Sequence, residues 1–254
     1  MPPAEKSDPF FIGYINAVPQ GLGAFLVFIA AGLIGAAAAL GFALSLRTAD
    51  PGWAIQGYEH IEVRGIIEAR PYPVLRVPEG DGRKARVYLL AGEGKYGVAS
   101  QAEGLYGQWV TVAGYLIKRG ALDMLLVDDK AGIVATVASG VLHPAPPISL
   151  GRWRMTGEIC DGKCYSGAMS PGTGLAHKAC ANLCLIGGVP PVFVSTGPVA
   201  GSEFFLLTDN NDSITSRIFA DYVGRIVAID GEVERIDNFY IFKADPATLK
   251  GAGP

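Results

Sequence analysis

Two stretches of alternating apolar and polar residues decide the fold: Trp109-Val-Thr-Val-Ala-Gly-Tyr-Leu116 and Arg225-Ile-Val-Ala-Ile-Asp-Gly-Glu-Val233. Successive side chains of a β-strand point to opposite faces, so this period of two predicts two half-buried strands. Each stretch contains an internal glycine, Gly114 or Gly231, where the bend of a small coiled barrel is expected. The two glycines are 117 residues apart in the same pattern, which indicates an internal repeat.

The repeat extends well beyond these two strands. Leu122-Asp-Met-Leu125 aligns with Phe239-Tyr-Ile-Phe242 at the same offset. Each copy is predicted to contain five short strands, which in the first copy cover residues 59–69, 73–78, 85–91, 108–118 and 121–128. Five coiled strands with a break after the third resemble the OB-fold, and the resemblance covers residues 58–128 and 150–246. A β-sandwich is the alternative.

The second copy contains an insertion. The offset is 92 at the first strand and 117 from the third strand onwards, so the second copy holds about 25 extra residues. The inserted segment contains all four cysteines of the chain and one of its three histidines, namely Cys160, Cys164, His177, Cys180 and Cys184. Because inserted loops commonly carry function while scaffold strands carry packing, residues 160–190 are the predicted functional segment.

Part of the insertion is predicted to be a helix. Residues 176–185 are good helix formers and are followed by Gly187-Gly188, a typical helix stop. On this helix His177, Cys180 and Cys184 occupy positions i, i+3 and i+7, which share one face. Cys160 and Cys164 leave the end of a strand and are expected to approach that face, and Met169 is a further soft ligand. The predicted metal site consists of Cys160, Cys164, His177, Cys180 and Cys184.

Three kinds of chemistry remain open for this cluster. The four cysteines Cys160, Cys164, Cys180 and Cys184 fit two disulfides that would tie the insertion down. Thiolates with an imidazole also suit copper, zinc or an iron–sulfur cluster. The third hypothesis is a thiol–disulfide oxidoreductase acting through the two Cys-x3-Cys pairs. No arrangement typical of another catalytic site stands out in the sequence.

The N-terminal region contains an apolar segment at residues 21–46 that is long enough to cross a bilayer. A cleaved signal peptide is the alternative. Small residues at four-residue spacing, such as Ala31, Gly35 and Ala39, suit close packing against another membrane protein or a second copy of the chain.

The predicted organisation is a tail at 1–20, the membrane helix, a first barrel at 47–146 and a second at 147–254. A short tail before a large soluble part predicts a single-pass protein of the bacterial inner membrane whose barrels face the periplasm.

Composition narrows the function classes. The 254-residue chain has a net charge of −3, so no basic face for a nucleic-acid partner is expected. One anchor before an OB barrel is similar to the membrane-anchored haem chaperone of cytochrome c maturation. That family has one barrel and a haem-bearing histidine near its C-terminus, whereas residues 243–254 of this chain include no histidine, so haem carriage is not expected here. The sequence predicts a non-enzymatic accessory protein of a redox or metal-handling system. Its Cys/His-rich loop is expected to bind a metal or, stabilised by disulfides, to dock to a partner.

Overall fold

A computed structural model describes residue 18 and residues 21–47, 59–69, 71–119, 122–130, 132–143, 146–209 and 219–251. The chain divides into two compact units, Met1–Asp50 and Pro51–Pro254. The predicted N-terminal tail lies outside the described residues except for Val18.

Helix α1, Leu22–Arg47, makes up most of the described part of the first unit. Its many Ala and Leu residues are strong helix formers, and the predicted apolar helix is confirmed. Side chains from Ala24 to Leu44 are all exposed. The 23-residue stretch Leu22–Leu44 is long and apolar enough to be a membrane span or a signal sequence.

The first barrel is a closed ring of five strands: β1 Glu59–Glu68, β2 Val74–Glu79, β3 Lys84–Ala91, β4 Trp109–Arg119 and β5 Leu122–Val127. Neighbours bond in the order β1-β2-β3-β5-β4, and β1 pairs with β4 to close the ring. Strands β3 and β5 run parallel, whereas the other pairs of the ring are antiparallel. A short strand β6, Ile133–Ala135, adds to β4.

The second barrel repeats this topology with β7 Ile148–Asp161, β8 Pro191–Val199, β9 Ser202–Asp209, β10 Ile226–Ile236 and β11 Phe239–Ala244. The order is β7-β8-β9-β11-β10 with β7 closing on β10, and β9 and β11 are parallel. Strand β12, Lys250–Gly251, adds to β10 as β6 adds to β4. Two closed five-stranded barrels confirm the predicted fold, and the β-sandwich alternative is wrong.

The repeated strand glycines have one structural reason. A Cβ at Gly114 would collide with the carbonyl oxygen of Leu126, and a Cβ at Gly231 would collide with that of Lys243. In each barrel the fourth and fifth strands therefore cross too closely for a side chain.

Each barrel has its own apolar core, and a third cluster joins the two. The first core includes Leu75, Leu90 and Val112, and the second includes Phe205 and Phe242. The joining cluster, called here the inter-barrel core, consists of the following buried residues: Tyr72, Val74, Val87, Leu89, Ala91, Leu122 and Met124 from the first barrel, with Cys160, Val192, Phe204, Leu206, Phe239 and Ile241 from the second. The barrels are therefore packed against each other through an apolar interface.

Polar contacts fix the register of this interface. Arg76 is buried between Glu68 of its own barrel and Asp237 of the second, at 3.1 and 2.7 Å. Next to Asp237, the Asn238 side chain receives a hydrogen bond from the backbone N–H of Val87 and donates one to its carbonyl, at 2.8 and 3.2 Å. The turn between β10 and β11 is thus bound to the first barrel at β3.

The insertion lies between β7 and β8 and contains two short helical pieces. A π-helical turn spans Cys164–Ala168, and helix α2 spans Lys178–Ile186. The predicted helix at 176–185 is confirmed, with His177 immediately before its first residue. Because Gly188 has a φ of +91°, which a side chain disfavours, the chain leaves the helix there.

Candidate metal centre

Three cysteine sulfurs meet where the π-helical turn faces α2. The Sγ atoms of Cys164, Cys180 and Cys184 all lie within 4.8 Å of one another. Cys164 and Cys184 are buried, at 4 and 1 % exposed, whereas Cys180 is half-buried. We call these three residues the sulfur cluster.

Helix geometry explains two members of the sulfur cluster. Cys180 and Cys184 are four residues apart on α2, so their side chains lie on the same face, one turn apart. The backbone N–H of Val189 bonds the carbonyl of Cys184 at 2.9 Å, which holds the end of the helix in place. Cys164 reaches them from the turn that follows β7.

A second group of metal-capable side chains shares Cys164. Asp161, Cys164 and His177 are all buried, and their donor atoms lie within 4.8 Å of one another. The Asp161 carboxylate faces His177 Nε2 at 3.0 Å with one oxygen and accepts a hydrogen bond from the Cys164 backbone N–H at 2.8 Å with the other. The structure therefore places His177 beside Cys164, paired with a carboxylate, and outside the sulfur cluster.

Cys160 does not take part in either group, contrary to the expectation of five donors at one point. Neighbouring residues of a strand point to opposite faces, so Asp161 points into the insertion and Cys160 points away from it. Cys160 is part of the inter-barrel core, and its thiol donates a hydrogen bond to Glu158 Oε1 at 3.1 Å. Burial, reinforced by Glu158, raises the pKa of the Cys160 thiol well above its usual value, which makes it a poor metal ligand.

The disulfide alternative is not seen. All four cysteines, Cys160, Cys164, Cys180 and Cys184, are free thiols in the structure. Cys160 packs among apolar side chains of both barrels, so a structural bridge from it into the insertion is not formed.

Two lysines surround the sulfur cluster, and one comes from the first barrel. Lys95, in the connection between β3 and β4, donates a hydrogen bond from Nζ to Cys180 Sγ at 2.8 Å. This hydrogen bond raises the pKa of Lys95. Lys163 is buried and donates to the carbonyls of Gly92 and Gly94 at 2.6 and 2.8 Å. Burial lowers the pKa of Lys163, whereas Cys184 and Cys164 act in the opposite direction.

The connection between β3 and β4 is bound to the insertion through its backbone as well. The N–H of Gly97 bonds the carbonyl of Gly187 at 2.9 Å. A Cβ at Gly187 would collide with the carbonyl oxygen of Lys95, so glycine is required for this close approach. The first barrel thus holds Lys95 over the sulfur cluster.

The sulfurs differ in how readily they lose a proton. The hydrogen bond from Cys164 lowers the pKa of Cys184, and Lys95 and Lys163 lower it further. The same hydrogen bond is the main cause of the raised pKa of Cys164, and burial is the second cause. Cys184 is therefore the preferred thiolate of this pair.

Met169 links the cluster to the surface. Its Sδ lies 3.4 Å from Cys180 Sγ, and its side chain is 44 % exposed. Because this thioether touches the one half-buried cysteine, this side of the cluster is open to solvent.

The structure thus defines a two-barrel protein with a sulfur-rich centre in an insertion of its second barrel. The chain has no significant match among protein-family models, curated proteins or solved structures. The sequence pattern predicts Cys164, Cys180, Cys184 and Met169 as candidate ligands, but it does not indicate that Asp161 and Lys95 lie beside them. The place of Asp161 directly after Cys160 in the strand was a usable signal for the former, whereas no local pattern indicates the contact of Lys95.

Proposed function

We propose that this protein is a membrane-anchored accessory protein that binds a thiophilic metal ion through Cys164, Cys180 and Cys184. The observation that carries the proposal is the mutual approach of three cysteine sulfurs within 4.8 Å. Sulfur ligands of one tetrahedral ion, each about 2.3 Å from the metal, lie about 3.8 Å apart. Small side-chain movements are therefore enough to close the cluster around one ion.

The surroundings suit a binding site better than a reaction site. Asp161 and His177, the acid–base groups beside the cluster, form a buried pair at 0 and 3 % exposed. The open side of the cluster is formed by Cys180 and Met169, which suits entry and release of an ion. We therefore propose that the protein acts in a metal-handling system or as an accessory protein of a redox system.

The proposal includes an anchor and a compartment. Helix α1 would hold the barrels at the bacterial inner membrane in a single pass, with the barrels in the periplasm and the short N-terminal tail inside. Its small residues, for example Gly35 and Ala39, would pack against another membrane protein or a second copy of this chain. Length and apolar composition support the anchor.

Metal stoichiometry tests the proposed function. The full-length protein, purified in detergent without chelators, is expected to bind one copper or zinc ion per chain. Cys184→Ser should weaken binding by about 100-fold or more, because a thiolate ligand is replaced by a weak one. Cys160→Ala is the matched control, because Cys160 is a buried cysteine at the start of the insertion that lies outside the sulfur cluster. This variant should bind metal as tightly as the wild type. Equal binding by both variants, or no bound metal in the wild type, would contradict the proposal.

The pair formed by Cys164 and Cys184 favours a second candidate, thiol–disulfide exchange. Its two thiols share a hydrogen bond, and the pKa of Cys184 is lowered, which is typical of an attacking thiol. If this is the function, a glutathione buffer converts the pair to a disulfide that a dithiol substrate reduces at catalytic rates. Metal binding without such turnover rejects this second candidate.

A further inference from the structure

The ligand atoms on the exposed side of the sulfur cluster are soft. This inference rests on the proposed function and concerns which ion the cluster takes. On this side the neutral thioether of Met169 lies 3.4 Å from Cys180 Sγ. On the buried side, Asp161 and His177 have donor atoms within 4.8 Å of Cys164 Sγ. His177, a ligand that zinc commonly uses, is turned towards Asp161 and lies outside the cluster. Thiolate and thioether ligands together favour Cu(I).

The charges around the cluster also favour Cu(I). Three thiolates alone would carry a charge of −3, which favours a divalent ion. The ammonium of Lys95 lies 2.8 Å from Cys180 Sγ, and the ammonium of Lys163 lies close enough to Cys164 and Cys184 to interact with both. The two lysines reduce the charge of the three thiolates from −3 to about −1.

A weakly charged site prefers the ion of lower charge. The cost of removing water from an ion rises with the square of its charge, whereas its attraction to the site rises only in proportion. The Asp161 carboxylate beside Cys164 adds one negative charge, so the site carries about −2, still less than the −3 of three thiolates alone. The remaining attraction is therefore less able to offset the dehydration of a divalent ion.

We propose that the sulfur cluster selects Cu(I) over Zn(II), with Lys95 and Met169 as the specificity-determining residues. The ion is bound and released as Cu(I), so no electron is transferred, and the thiols release their protons when it binds. Exchange takes place on the side of Cys180 and Met169. The ion would be received from, or passed to, a partner that offers thiolate or thioether ligands.

Competition titrations of the full-length protein in detergent, under anaerobic reducing conditions, test this selection. A Cu(I)-specific bicinchoninate chelator and a zinc-binding dye report the dissociation constants for the two ions. Lys95→Gln is expected to shift the ratio of the two constants towards zinc by about tenfold, because a charge next to the site is removed. Lys178→Gln is the matched control, since this lysine of α2 donates instead to the carbonyl of Asp221 at 2.6 Å. The control should leave the ratio unchanged.

Met169→Leu keeps the size of the side chain and removes only the sulfur. It is expected to weaken Cu(I) binding by about tenfold and to leave Zn(II) binding unchanged. Binding of both ions with a ratio that neither Lys95→Gln nor Met169→Leu alters would overturn the selection while leaving the metal site intact. Binding of neither ion would instead overturn the proposed function itself.

Discussion

Cys164 connects the two groups of side chains in the insertion. It contributes to the sulfur cluster with Cys180 and Cys184 and lies beside the buried pair of Asp161 and His177. The Asp161 carboxylate lies 3.0 Å from His177 Nε2 and holds this imidazole beside Cys164. At the residue scale, the proposed metal site therefore depends on Cys164, whereas Cys160 packs in the inter-barrel core.

The role of Cys160 leads to a pH dependence of stability. Burial raises the pKa of its thiol above the usual 9.0 in the folded protein. The unfolded chain then loses this proton at lower pH than the folded chain, so the free energy of unfolding falls as the pH rises above about 9. Cys160→Ala removes this contribution and leaves those of the buried tyrosines unchanged. Between about pH 8 and about pH 10, the melting temperature of the variant should therefore fall by less than that of the wild type. An equal loss would contradict a buried, protonated thiol at this position.

At the scale of elements, most of the β-structure follows from the sequence. Strands predicted at 108–118 and 121–128 are observed as β4 Trp109–Arg119 and β5 Leu122–Val127, because alternation along a half-buried strand is a local property. The same holds for α2, whose end is marked by glycine. The separation of Cys160 from the other cysteines also follows from alternation, but only once the strand is known to continue through Asp161.

The repeated glycine gives a prediction for the barrel itself. Gly231→Ala should lower the free energy of unfolding by about 1–3 kcal/mol, because the new Cβ collides with the Lys243 carbonyl and forces the strands apart. Gly197→Ala is the control, a strand glycine whose Cβ would meet no atom within 4 Å. Urea unfolding of both variants provides the comparison. If Gly231→Ala is no less stable than Gly197→Ala, the close crossing of β10 and β11 is not as described.

At the scale of the whole molecule, both barrels build the centre. The second barrel supplies every sulfur, and the first supplies Lys95 and the backbone carbonyls that bind Lys163. The inter-barrel core and the ion pair between Arg76 and Asp237 hold these parts together. Such contacts join residues far apart in the chain, 85 positions in the case of Lys95 and Cys180. This distance is why periodicity and spacing predicted the cysteines of the site but not Lys95.

X-ray absorption at the copper edge of the full-length protein, loaded with one equivalent of Cu(I) in detergent, tests the central claim most directly. We expect the copper to be surrounded by sulfur alone, with three or four atoms at about 2.3 Å. This sulfur shell should persist in Cys160→Ala and be lost in Cys184→Ser. A first shell dominated by nitrogen or oxygen, or a sulfur shell that Cys184→Ser leaves unchanged, would contradict it.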